Sequence, residues 1–146
     1  MGQGTIVIEP ARTDAEIDAA FPVIQQLRSH MTDAVAFREQ IRRQMDDGYT
    51  LALLRFDGEV AGCAGFRVHE TLSRGTYMYV EDLVTNSALR SHGLGDALFD
   101  WLVNEAKERG CGQMEVISGT QRTDAHRFYH RKRMVIKSFQ LVLTLK

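Results

Sequence analysis

Two hydrophobic rhythms alternate along this chain. Ile6 and Ile8 recur every second residue and predict a strand from Gly4 to Glu9. The spacing then lengthens: Ile17, Phe21, Ile24 and Leu27 recur at helical intervals. Thr13 or Asp14 caps that helix, and Glu16 lies in its first turn. Pro22 falls inside the pattern and predicts a kink or a restart. Thr32-Asp33 caps a second helix to about Met45, closed by Asp47-Gly48. Strands follow at Tyr49 to Phe56, Glu59 to His69 and Thr76 to Thr85, joined by turns at Asp57-Gly58 and Arg74-Gly75, and these read as an antiparallel meander. A long helix from about Gly93 to Arg109 carries Leu94, Ala97, Leu98, Trp101, Leu102 and Ala106 on one stripe, and Gly110 and Gly112 end it. A strand from Gln113 to Ser118, a helix from Asp124 to Lys132 and a final strand from Met134 to Leu145 complete the order β-α-α-β-β-β-α-β-α-β. With no repeat, low-complexity segment or linker, residues 1–146 read as a single α/β domain with a mixed sheet.

Composition narrows the function classes. Eighteen basic and nineteen acidic residues give a net charge of −1, so overall charge offers nothing to nucleic acid. The one basic cluster, Arg131-Lys132-Arg133, reads as a solvated helix end. Cys63 and Cys111 make no disulfide framework and fit a reducing, cytoplasmic setting. Cys63 lies in an apolar run and reads as a buried, inert thiol. No Cys/His cluster suggests a metal, no segment has the length to span a membrane, and Met1 to Thr5 lacks the pattern of a signal peptide.

Candidate chemistry concentrates in one stretch. A strand carrying Glu81-Asp82 runs through Leu83-Val84-Thr85 into Arg90-Ser91-His92-Gly93-Leu94-Gly95, where the long helix opens. Glycines admit close approach of a ligand to the backbone, and the first amides of a helix lack intrahelical partners, so the stretch can hold an anion. It lacks the lysine of a P-loop and the third glycine of a dinucleotide fingerprint. Adjacent strand residues face opposite sides, so only one of Glu81 and Asp82 faces a cleft unless a bulge intervenes.

Tyr79-Val80-Glu81-Asp82-Leu83-Val84-Thr85, followed by Arg90-x-x-Gly-x-Gly and later by Ala125-His126-Arg127-Phe128-Tyr129, resembles the GCN5-related N-acetyltransferase superfamily. It is similar in particular to spermidine/spermine and bacterial small-molecule N-acetyltransferases. The resemblance covers Tyr49 to about Met134, and the N-terminal β-α-α suits the same fold. It implies a splayed, V-shaped sheet with acetyl-CoA in the V. The pyrophosphate would sit on the backbone of Arg90, Ser91, His92, Gly93, Leu94, Gly95 and Asp96, and the pantetheine arm would pair with Leu83, Val84 and Thr85. By motif position Glu81 is the general base that takes the proton of a primary amine. Tyr129 is the general acid toward the leaving sulfur. Transfer is direct, with the Leu83 amide available to polarise the thioester carbonyl.

Three departures from the family pattern stand out. Arg133-Met134 replaces the usual Gly-Phe pair, and Arg122 stands where an asparagine is common. Arg122 and Arg127 are candidates for the 3′-phosphate, against an ordinary solvated role. One strand follows the last helix where many relatives have two, so the sheet is either shorter or completed by a neighbouring subunit. Exposed strand edges favour such pairing, and a homodimer is one expectation.

The acceptor pocket is expected between the first two helices, the loop Ser29 to Asp33 and the acid-bearing strand. His30, Met31, Tyr77, Tyr79 and Asp82 are its candidate lining. If both acids reach the cleft, a cationic acceptor is favoured. The leading reading is transfer of acetyl to a small-molecule amine. The competing readings are a protein or peptide acceptor and a catalytically silent acyl-CoA-binding module.

Overall fold

The computed structural model describes residues 4–146, so Met1 to Gln3 of the stretch read for targeting lie outside it. The elements are β1 (Ile6–Pro10), α1 (Asp14–Leu27), α2 (Ala34–Asp46), β2 (Thr50–Phe56), β3 (Glu59–Thr71), β4 (Gly75–Thr85), α3 (Leu94–Glu108), β5 (Gln113–Val116) and α4 (Thr123–Arg131). They fall into two compact units, Met1–Val116 and Ile117–Lys146.

In the first unit Thr13 and Glu16 form a capping box, each side chain accepting from the other's backbone N–H. Asp33 caps α2 through the amides of Val35 and Ala36. Pro22 does not restart α1, which is assigned unbroken from Asp14 to Leu27. Asp57 and Gly58 both take positive φ, the geometry of a tight hairpin turn.

The sheet has the order β1-β2-β3-β4-β5, antiparallel except for the β4–β5 pair. Its strands are buried on both faces, and alternation sorts their side chains. Leu51, Leu53 and Cys63 pack with Ile17, Ile24, Phe37 and Ile41 of α1 and α2. Ala52, Leu54, Phe66, Met78 and Val80 pack with Leu94, Leu98 and Leu102 of α3.

Two irregularities in β4 prepare the site. Its pairing with β5 runs only from Tyr77↔Gln113 to Val80↔Val116, while β4 continues to Thr85. From Glu81 onward its outer edge has no strand partner among the described residues. At the same point β3 pairs Phe66 with Val80 and Gly65 with Asp82, leaving Glu81 as the extra residue of a bulge.

In the second unit, α4 ends in a Schellman motif. The Met134 N–H donates to the Tyr129 carbonyl at 3.0 Å, and the Arg133 N–H donates to the His130 carbonyl at 2.9 Å. Arg133 takes the left-handed φ of 68° that a glycine would adopt freely. The turn is therefore kept despite the missing Gly-Phe pair.

The expected final strand is not formed: no secondary structure is assigned from Met134 to Lys146. A strand needs a neighbour for its N–H and C=O groups, and among the described residues of this chain the segment has none. Its apolar pattern survives without cover. Val135, Ile136, Phe139, Leu141, Val142, Leu143 and Leu145 are 73% to 92% exposed. Each side chain left in water forgoes ~1.5–3 kcal/mol of burial.

Candidate active site

The bulge reverses the alternation expected of Glu81 and Asp82, and both carboxylates turn to the α1–α2 face. Oε2 of Glu81 accepts from Nε of Arg67 at 2.6 Å. Arg67 also donates from Nη1 to the carbonyl and Oδ2 of Asp47, both at 3.0 Å, and its guanidinium lies 5.6 Å over the ring of Tyr49. Oδ2 of Asp82 accepts from the Tyr49 hydroxyl at 2.8 Å, and its Oδ1 accepts from Nε of Arg28 at 3.0 Å. Arg28, the C-cap of α1, also donates from Nη2 to the Glu81 carbonyl at 2.9 Å, just where β5 has left the sheet. One arginine thus holds the bulge by its main chain while the other holds its side chain.

This arrangement needs a glycine at position 65. A Cβ there would overlap the hydroxyl of Tyr49, which crosses β3 to reach Asp82. Burial, followed by the charge of Asp82, pushes the Tyr49 phenol well above its ordinary value. Burial also pushes the Cys63 thiol up to about 12, with Asp82 adding to the shift, as an inert core thiol requires.

A cavity of about 250 Å³ opens beside Asp82, between α1, α2 and β2. Arg28, His30, Gln40, Gln44 and Tyr49 supply its polar lining, and Ile24, Met31, Phe37 and Ile41 its apolar lining. His30 and Met31 are thus where the acceptor pocket was expected. Tyr77 and Tyr79 do not line it; they lie on β4 with their rings 5.6 Å and 6.5 Å from that of His69. The condition attached to a cationic acceptor is met, since both acids share a face. Its consequence is weakened, because each carboxylate already faces its own arginine.

Leu83, Val84 and Thr85 form the part of β4 whose outer edge is open. Gln26 of α1 fixes the strand's end by donating to Oδ1 of Asn86 at 3.2 Å and accepting from the Ser87 N–H at 3.0 Å. Arg90 then leads into a turn in which Ser91 (φ 70°) and Gly93 (φ 72°) are both left-handed. Gly93 is the N-cap of α3 and offers no side chain to its amides, followed by Leu94, Gly95 and Asp96. Such a turn at a helix N-terminus directs N–H groups outward, with Arg90 exposed beside them. The His92 imidazole packs on Phe56, with ring centroids 5.1 Å apart.

Tyr129 belongs to the second unit. It lies on α4 with its ring edge-on to Phe128, the centroids 5.6 Å apart. Burial raises its phenol above the ordinary value, and Arg122 opposes the shift. Arg122 is the N-cap residue of α4, and Arg127 pairs with Asp124 on the exposed side of that helix.

A model of the acetyltransferase (GNAT) family matches residues 15–133. The chain belongs to that family. The uncharacterized N-acetyltransferase YhdJ of Bacillus subtilis is 29% identical over 114 residues, 77% of this chain and 80% of that protein. Aminoalkylphosphonate N-acetyltransferase of Salmonella typhimurium is 29% identical over 124 residues, covering 82% and 79%. In fold the chain resembles the ribosomal-protein-alanine N-acetyltransferase of Brucella melitensis, with a TM-score of 0.83 at 16% identity over 97% of this chain and 100% of that one.

The GNAT fold expected from the sequence is therefore present, and the chain is an N-acetyltransferase. Membership of the GNAT family implies acetyl-CoA as the acyl donor. The donor set suits it: outward amides and a cation for a pyrophosphate, and an open strand edge for an extended amide-bearing arm. Among the described residues no three His, Cys, Asp or Glu side chains could hold a metal, and no helix is long and apolar enough to cross a membrane.

The sequence reading missed Arg28, Tyr49, Gly65 and Arg67. Arg67 had a signal: a cation on a strand that the short 71–75 turn folds back onto the acid-bearing strand. Arg28 had none, because its contacts span 53 and 54 residues.

Proposed function

We propose that this GNAT enzyme transfers acetyl to the primary amine of a small molecule that also carries an anionic group. Glu81 is the general base and Tyr129 the general acid. The bulge at Glu81 is the observation that carries the reading. It turns a carboxylate toward the acceptor side of β4 at the point where the strand's other edge opens. Bound acetyl-CoA supplies the activated acetyl thioester, on the amides of Arg90 to Asp96 and the edge of Leu83 to Thr85.

An amine with the ordinary pKa of about 10.4 must lose a proton before it attacks, which costs roughly 4–5 kcal/mol at pH 7. Arg67 occupies Oε2 of Glu81, so Oε1 is the oxygen assigned to that proton. One N–C bond forms and one C–S bond breaks. Oη of Tyr129 returns a proton to the leaving sulfur, and its raised phenol keeps that proton available across the neutral range.

The acceptor class rests on the cavity beside Asp82. Its volume suits a small molecule. Arg28 and His30 offer it cationic or neutral donors against one acid, which supports an amine bearing a phosphonate, phosphate or carboxylate. The aminoalkylphosphonate N-acetyltransferase among the relatives points the same way. Asp82, His30 and Arg28 are the proposed acceptor contacts, whereas Tyr79 lies outside the cavity lining.

The test compares kcat/KM for 2-aminoethylphosphonate, ethanolamine and a diamine of similar length. The anionic acceptor is expected to lead, with Arg28→Gln removing most of its advantage through KM. Preference for the diamine would contradict the acceptor class.

A further inference from the structure

Charge in this chain is divided unevenly between its two units. Residues 117–146 hold seven Lys and Arg against one Asp, a net +6, while residues 1–116 hold eleven against eighteen Asp and Glu, a net −7. The smaller unit is also the one that lacks cover. No residue of α4 is buried, and seven large apolar side chains follow it, each at least 73% exposed. Phe139, Leu141, Leu143 and Leu145 keep the period-two spacing of a strand with no sheet to join.

The larger unit offers what that segment needs. β5 is the last strand of its sheet, with an open outer edge and four residues that are all only partly buried. An unpaired edge of this kind is a template for a strand from another chain. Every copy carries both the donor segment and the acceptor edge, so two copies can satisfy each other about one two-fold axis. Seven large apolar side chains per copy, with β5 beneath them, are enough for the roughly 800 Å² per partner of a stable interface. The opposite net charges of the two units steer the encounter and fix its orientation.

We propose that the protein is an exchange dimer, in which residues 117–146 of one copy cover residues 1–116 of the other. Each active site then combines Glu81 of one chain with Tyr129 of the partner subunit. The composite site rests on the roles proposed above for those two residues; the exchange itself does not.

The test uses two tagged variants, Glu81→Gln and Tyr129→Phe, expressed together and purified through both tags. Each variant alone is first checked for folding and acetyl-CoA binding, and is expected to have lost most of its turnover. In a mixed exchange dimer one site collects both substitutions and the other collects neither. About half the wild-type rate per dimer should therefore return. A doubly tagged preparation no faster than the single variants would overturn the composite site. Light scattering on the wild type tests the exchange independently of catalysis: two chains per particle are expected, and a single chain overturns it. If either single variant retains the wild-type rate, the catalytic roles fail while the light-scattering result still decides the exchange.

Discussion

The hydroxyl of Tyr49 donates to Oδ2 of Asp82 at 2.8 Å, passing over residue 65, which lies opposite Asp82 in β3 and has no side chain. A carboxylate on β4 is thereby held from β2 across an intervening strand. Gly65→Ala would drive a methyl group into the Tyr49 hydroxyl. The expected cost is about 1–3 kcal/mol of stability, as for overpacking elsewhere in protein cores. Urea unfolding measures it, and an unchanged midpoint would show that Tyr49 does not hold this position in solution.

Tyr49 and Cys63 also predict how stability depends on pH. Both groups bind their protons more tightly in the folded state, since burial raises both. Their contribution is complete below the unfolded values and is lost as pH rises. For Cys63 the loss runs from about 9 toward about 12. The slope is at most about 1.4 kcal/mol per pH unit for each group. Urea midpoints between pH 8 and 11 should fall less steeply for Cys63→Ala than for wild type, whatever the variant's stability at pH 8. Parallel curves would contradict a buried, perturbed thiol.

Arg133 holds a left-handed backbone at the end of α4, where a side chain costs about 1–2 kcal/mol relative to glycine. Arg133→Gly should therefore raise the thermal midpoint slightly without altering turnover. A lowered midpoint would mean that the guanidinium makes a contact worth more than the strain.

Gly93 is left-handed as well, but in open space: a Cβ would meet nothing within 4 Å. Gly93→Ala should thus act through backbone strain in the turn before α3 and not through a clash. The expected result is a severalfold higher KM for acetyl-CoA with a smaller change in kcat. An unchanged KM would remove this turn from the cofactor site.

Much of the fold is legible in the sequence because its signals are local. The Thr13 to Glu16 capping box, the Asp33 cap, the Asp57-Gly58 turn and the stripe of α3 each lie within a few residues, and each forms as read. The final strand fails for the opposite reason. Its pattern from Phe139 to Leu145 is correct for a strand, but a strand also requires a neighbour, which local pattern does not supply. At the site, Glu81, Asp82 and the turn at Arg90 to Gly95 are adjacent in sequence and readable as a motif. The bulge that puts both acids on one face depends on register with Gly65, and their arginine partners come from α1 and β3. Strand alternation alone would have placed one of the two acids on the wrong face.

The role of Glu81 is the centre of this account, and the turnover of Glu81→Gln tests it most directly. CoA release with 2-aminoethylphosphonate at saturating acetyl-CoA is measured for wild type and variant, alongside acetyl-CoA affinity. A fall in kcat of about 10²–10⁴-fold with unchanged acetyl-CoA affinity is predicted, the ordinary worth of a positioned base. A variant within about twofold of wild type would contradict the account and move the proton transfer to another group or to solvent.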